Sequence, residues 1–307
     1  MSATIVLNQE NIVNTDNNIL EYAFPSSVNF NNHEICVDSI AMYYAWENIN
    51  SIPLNNNQFS YTWYVGGTAT VYTITLPDGL YSLKSINALL QYNFVKNGHF
   101  LISSTGQYVY FAEFIINSST YSYQLNTFPV PIASQFHTSS SNPTVGDVAP
   151  YIGWTTPVAN SKSGTLIYGG WNNQNFNPVI SMIAGNNLYK LLGFASDFVS
   201  TVNLGVNTNL TFQSTSSPKI TPNFNLFLGI TNIDNEYSNP SSIIHSISPT
   251  VGFGEQIIDR PNEHSWNKLI QGSYNRLRLQ ILGSDKQPVK ILDPEICIVL
   301  KIRNKSS

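Results

Sequence analysis

At 307 residues and 42% hydrophobic side chains the chain can bury a large core, and an all-β unit of that size can form one domain. Only 10% of its residues are charged, against about 25% in ordinary soluble domains, so neutral polar groups keep the surface in solution and charge repulsion protects it weakly from sticking to neighbours. A net charge of -4 and a pI near 5.7 argue against a strongly basic nucleic-acid-binding domain, and two cysteines exclude a disulfide-rich or cysteine-metal scaffold.

In chain order, residues 4–7 and 19–24 read as short strands, the second stopping at Pro25. The run EICVDSIAMYYAW at 34–46 is long, β-rich and nearly uncharged, and is the best N-terminal partner for a late strand at 274–282. After a polar loop, 59–65 and 71–76 are strands joined by a turn at Gly66-Gly67, and Pro77-Asp78-Gly79 marks a further turn. Leu83, Ile86, Leu89, Leu90 and Phe94 then recur at helical spacing, with Ser82 placed as N-cap and Gly98 after the last turn, so an amphipathic helix is expected to pack on the barrel. Strands follow at 100–103, 108–116 and 121–125, until the prolines of Phe128-Pro129-Val130-Pro131 end the series.

Between 133 and 177 the chain turns rich in Ser, Asn, Gly and Pro and reads as a loop-rich insertion. A second short helix is expected around 187–192, ended by Gly193, and Phe224, Leu226, Leu228 and Ile230 mark an amphipathic strand. The C-terminal stretch holds two strong strands. Leu277, Leu279 and Ile281 alternate with Arg276, Arg278 and Gln280, which gives one buried and one wet face; residues 296–300 run apolar on both faces, which places that strand inside a sheet. A chain whose last strand is so buried must insert it between strands laid down long before. The fold class is therefore all-β with Greek-key connections, and the connector 283–295 crosses between sheets rather than closing a hairpin. With 34–46 beside 274–282, Cys36 and Cys297 fall in opposed sheets about 10 Å apart, beyond the roughly 7 Å limit for a bridge, and both are expected to be buried free thiols.

The search for chemistry finds no GxSxG, HExxH, CxxC or Walker loop, and the five histidines have no carboxylate at a supporting spacing. Asp234, Asn235 and Glu236 offer cation-type oxygens but fit a polar inter-strand turn better. Residues 1–10 lack a secretory-signal pattern and no apolar run approaches about 18 residues; synthesis in a cytosol-like compartment and no membrane span are expected. All four arginines lie at 260 and beyond, while the first 160 residues carry only Lys84 and Lys96 as cations. This asymmetry suits either a solvated strand face or a surface that meets an acidic partner or nucleic acid.

Four segments, EICVDSIAMYYAWENI at 34–49, LPDGLYSLKSIN at 76–87, KLLGF at 190–194 and RLRLQILGSDKQPVKILDPEICIVLKI at 276–302, occur in an order and spacing that resembles the minor capsid, or penton, proteins of virophages and Polinton-like elements. The resemblance spans most of the chain and is loosest over 133–177. It implies a single jelly roll over 1–307, two packed antiparallel sheets with long loop insertions and one or two short helices. It further implies a structural role without enzyme activity, cofactor or metal: a homopentamer at the icosahedral vertices of a virion assembled in the host cytoplasm, in contact with a double-jelly-roll major capsid protein. The candidate docking residues are Arg276, Arg278, Lys301 and Arg303, facing that protein or packaged DNA. The alternative is a carbohydrate-binding jelly roll for host attachment, in which Trp154, Tyr168 and Trp171 are the candidate surface-loop aromatics.

Overall fold

The two strong C-terminal strands lie in different sheets. In the computed structural model of the chain, residues 2–65, 67–132, 149–157, 174–205, 207–220 and 224–305 are described. The chain divides into two units, Met1–Asn48 with Thr221–Ser307, and Ile49–Ile220. Of the stretch 133–177, residues 133–148 and 158–173 lie outside the described residues.

The first unit begins with β1 (Ser2–Leu7), β2 (Ile19–Asn29) and β3 (His33–Tyr43). The second unit follows as β4 (Gln58–Val65), β5 (Thr68–Thr75), α1 (Leu83–Asn97), β6 (Leu101–Ile102), β7 (Tyr108–Val109), β8 (Ala112–Asn117), β9 (Ser122–Thr127), β10 (Val179–Met182), α2 (Leu188–Leu192) and β11 (Leu210–Gln213). The first unit then resumes with β12 (Leu226–Ile230), β13 (Ile243–Ile247), β14 (Gln256–Asp259), β15 (Asn267–Lys268), β16 (Ser273–Leu282) and β17 (Cys297–Asn304).

In the first unit, with the short β15 set aside, β1 pairs with β17, β2 with β16, β3 with β14 and β12 with β13, all antiparallel. First meets last, second meets second-last, and so inward: the strands form one long ribbon folded back on itself. Rolling the ribbon up adds the pairings β3 with β17 and β12 with β16, and the result is two sheets ordered β1-β17-β3-β14 and β13-β12-β16-β2. This is a jelly roll. Its core is lined by inward positions of both sheets, among them Leu277, Leu279 and Ile281 of β16, Ile298, Leu300 and Ile302 of β17, and Leu226, Leu228 and Ile230 of β12. Each such fully buried side chain stabilises the fold by about 1.5–3 kcal/mol relative to exposure.

Three expectations need correction. Residues 34–46 do not pair with β16; β3 pairs with β17, and β16 takes β2. The physical reason is that β3 is buried along most of its length and β17 turns Ile298, Leu300 and Ile302 into the core, so the two share the sheet interior, whereas the more exposed β2 fits an edge. That edge position also lets β2 run through Pro25, because a missing N–H costs nothing where no partner strand lies; the register with β16 breaks between Tyr274 and Arg276. Finally, Cys36 and Cys297 sit on neighbouring strands of one sheet, opposite Lys301 and Ala41. Both thiols are free, but only Cys36 is buried, since the inward positions of β17 are 298, 300 and 302.

The second unit pairs β4 with β5 in a hairpin, with the Tyr61 and Tyr72 rings stacked across it at 5.0 Å, and adds β10 to the other side of β4. A second sheet is ordered β11-β9-β8, and β6 pairs with β7. Ser82 caps α1 by accepting the Ser85 N–H, and Gly98 ends it at φ 73°. The buried face, Leu83, Ile86, Leu90 and Phe94, joins Phe59, Tyr61 and Trp63 in this unit's own core rather than the jelly-roll core. Gly193 closes α2 at φ 79°, where an added Cβ would stand 2.3 Å from the Ser216 carbonyl oxygen.

Candidate functional site

The alternation that turns Ile298, Leu300 and Ile302 inward turns Lys301 and Arg303 outward, toward β3. Arg303 stands opposite Glu34 and donates to its Oε2 from Nε at 3.1 Å and Nη2 at 2.9 Å, while Lys305 Nζ lies 3.7 Å from Oε1. The guanidinium also lies 3.9 Å from the centre of the Trp266 ring, so the carboxylate and the indole fix it from two sides. One step along, the register of β17 against β3 slips between Val299 and Leu300, leaving Asp38 as an extra residue. Lys301 Nζ donates to Asp38 Oδ1 at 2.5 Å, and His264 Nε2 lies 2.9 Å from the same oxygen. The Lys301 hydrogen bond first, and the His264 contact second, hold the Asp38 carboxyl below its ordinary range.

Arg276 and Arg278 belong to the other sheet. Arg276 Nη1 donates to Glu21 Oε1 at 2.8 Å with most of its side chain in solvent, and Arg278 stands opposite Glu21 in the register of β16 with β2. The four basic residues grouped from the sequence therefore form two pairs on the outer faces of opposite sheets, with the core between them. Of the aromatics, Trp154 is half-buried, packs on the core of the second unit and meets Tyr151 edge-on at 5.4 Å; Tyr168 and Trp171 lie outside the described residues.

Sequence reasoning missed an apolar band on the outer face of the first sheet. Val6 pairs with Val299, and the next row on that face joins Cys297, Ala41 and Ile258. Val6 and Ile258 are 48% and 62% exposed. The signal was present in the runs Ile5-Val6-Leu7 and Ile257-Ile258, which are apolar at outward as well as inward positions. Beside the charged group, a cleft of about 540 Å³ is lined by Asp234, Glu236, Tyr237, Trp266, Lys268 and Lys305, among others. Asn235 organises its rim as a turn, donating to the Ile243 carbonyl and accepting from the Tyr237 N–H. Among the described residues no cluster of three or more His, Cys, Asp or Glu is placed to hold a metal, and no helix is long and apolar enough to cross a membrane.

Among the described residues the histidine that lies in a core is His99, fully buried in the second unit and stacked on Trp63 at 4.3 Å with the rings nearly parallel. Asn97 donates to the Tyr61 hydroxyl oxygen, so the hydroxyl proton is directed to His99 Nδ1, 3.0 Å away. The proton of the neutral ring then sits on Nε2, which has no hydrogen-bond partner among the described residues, and burial pushes the imidazole down to about 3.

The geometry thus defines an all-β jelly-roll protein whose first sheet carries an apolar band beside a fixed charged group. No protein-family model and no curated protein matches the chain. Among solved structures it is similar to the selenomethionine-labelled mavirus penton protein, at 11% identity over 98% of this chain and 96% of that one, with a TM-score of 0.41.

Proposed function

We propose that the chain is a structural subunit of a viral shell, a minor capsid protein that forms homopentamers at icosahedral vertices and docks to a double-jelly-roll major capsid protein. The observation that carries this reading is the apolar band Val6, Val299, Cys297, Ala41 and Ile258 across the outer face of a jelly-roll sheet. Contiguous apolar surface of this kind is a contact surface, and one with few charges is favourable only once covered. The order and spacing of the four sequence segments supply the kind of shell. In this reading the protein resides in the virion after assembly in the host cytoplasm, acts by packing rather than catalysis, and uses no cofactor.

Within it, Arg276 with Arg278 and Lys301 with Arg303 are two docking surfaces on opposite sheets. Arg278, which has no ion pair among the described residues, is the charge most available to an acidic partner or to packaged DNA. Light scattering on the purified chain should give about five times the 34.2 kDa of one copy. The double variant Arg276→Glu, Arg278→Glu should keep its fold and lose incorporation into particles. Normal vertex occupancy in that variant removes the docking role, and a chain that is monomeric and absent from particles removes the assignment.

A second reading, glycan attachment, is favoured by the cleft rather than by Trp154. An indole and a phenol beside Asp234 and Glu236 is the combination that stacks on a sugar ring and binds its hydroxyls. Saturation-transfer NMR with neutral oligosaccharides tests it, and transfer that persists in Trp266→Ala rejects it.

A further inference from the structure

A strand at the edge of a sheet presents unpaired backbone N–H and C=O groups, and proteins usually close such edges. Several edges here are closed. The outer side of β10 is taken by the Ser200 N–H to the Ile180 carbonyl and the Met182 N–H to the Phe198 carbonyl. The Asn87 side chain closes β8, donating to the Phe114 carbonyl and accepting from the Phe114 N–H. In β2, Pro25 interrupts the edge, and Asn11 and Val13 bond the carbonyls of Glu21 and Ile19.

Among the described residues, two edges of six or more residues lack any such device. β5, TATVYTIT, has β4 as its strand neighbour on one side and, among the described residues, no strand on the other; it holds no charge, no proline and no bulge over eight residues. Its first half, Thr68, Ala69, Thr70 and Val71, is exposed on both faces. β1, SATIVL, has β17 on one side, is equally free of charge and proline over six residues, and exposes Thr4 and Val6. Among the described residues no hydrogen bond reaches the outer backbone of either strand. Six or more uncharged, β-rich residues on an open edge are the signature of a strand that pairs with another chain.

We infer that these two edges are the two halves of one contact, β1 of one copy adding as a strand to β5 of the next. The partner is a second copy because both edges are neutral, so like charges never face each other when copies meet, and because the chain as a whole carries few charges to keep copies apart. The pairing is β1 with β5, rather than either with itself, because self-pairing is two-fold and ends at two copies, whereas unlike edges make a head-to-tail contact that can close a ring. Main-chain hydrogen bonds supply the affinity, as in other cases of strand addition. The inference rests on the ring-forming reading above and adds where the ring is joined.

The test uses the full chain. Thr70→Lys on β5 and Thr4→Lys on β1 place a charge on exposed edge positions, so the fold should be unchanged by circular dichroism. Each should weaken self-association at least roughly tenfold in sedimentation or light scattering. Hydrogen exchange on the wild type, which needs no variant, should show the alternate amides of 2–7 and 68–75 that do not bond β17 or β4 protected in the assembled form and fast in the dilute monomer. A wild-type pentamer in which either segment exchanges as in the monomer, or a Lys variant that assembles normally, overturns the edge contact and leaves the ring reading standing. A wild-type chain that stays monomeric at every concentration overturns both.

Discussion

Replacing His99 by Gln separates one buried proton site from every other acid-sensitive group in the protein. The folded second unit keeps the imidazole neutral down to about 3, while the unfolded chain binds a proton near the ordinary value of 6.5. Between those values the unfolded state holds one proton more than the folded state, so stability is full above pH 6.5 and falls as pH is lowered through that window, at about 1.4 kcal/mol per pH unit. At pH 4.5 the loss attributable to His99 is then between about 2 and 3 kcal/mol. Gln keeps an acceptor for the Tyr61 hydroxyl but loses the stack on Trp63, so at pH 7 the variant should be about 1–2 kcal/mol less stable. Urea unfolding at pH 7, 5.5 and 4.5, followed by near-ultraviolet circular dichroism, measures both quantities. The gap between wild type and variant should shrink on acidification and reverse between about pH 5 and 6. Parallel pH dependences in the two proteins would refute the assignment of His99 as a buried neutral ring.

In the jelly roll, Leu279→Ala should cost about 2–5 kcal/mol, because the side chain is fully buried, while Arg278→Ala next to it should change unfolding by no more than about 0.5 kcal/mol. Gly193→Ala and Gly98→Ala share a positive φ, but only the first drives a Cβ against the Ser216 carbonyl; thermal melts should show Gly193→Ala as the more damaging, and equal shifts would count against the close approach. With a thiol reagent on the native protein, Cys297 should react quickly and Cys36 only after denaturation, since burial raises the Cys36 thiol; two fast thiols, or one slow thiol at Cys297 by mass mapping, would contradict the strand register.

Much of this fold was legible because it is written in alternation and in caps. Leu277, Leu279 and Ile281 against Arg276 and Arg278, or Ser82 and Gly98 bracketing a helical stripe, are local signals that tertiary structure had no reason to override. Strand partners were less legible. Residues 34–46 fit either C-terminal strand by hydrophobicity alone, and the choice of β17 follows from the rolling of the whole ribbon, which no single segment encodes. The extent of the second unit was hidden for a related reason: β4 to β11 use the same β-rich vocabulary as the jelly roll, so composition does not change where one core ends and the other begins. The alternation marks the basic residues as outward, and the crossing of 283–295 between sheets already puts Arg276 and Lys301 on different surfaces; grouping them as one docking cluster overlooked that sheet membership decides the outer face.

The folded-back ribbon also has a consequence for how the chain is made. The second unit is one continuous segment, complete once Ile220 has been synthesised, whereas the jelly roll needs strands from both sides of it, and β3 waits for β17, which begins only at Cys297. At roughly 5–20 residues per second a ribosome needs on the order of ten seconds or more to travel from β3 to β17. During that interval the inserted unit can already have folded, while β1, β2 and β3 emerge as apolar strands with no neighbours. A nascent chain of this design depends on holding its first three strands apart from those of other nascent copies until its own last strand arrives. Its yield should therefore respond more to the speed of elongation and to chaperone supply than to the stability of the finished protein.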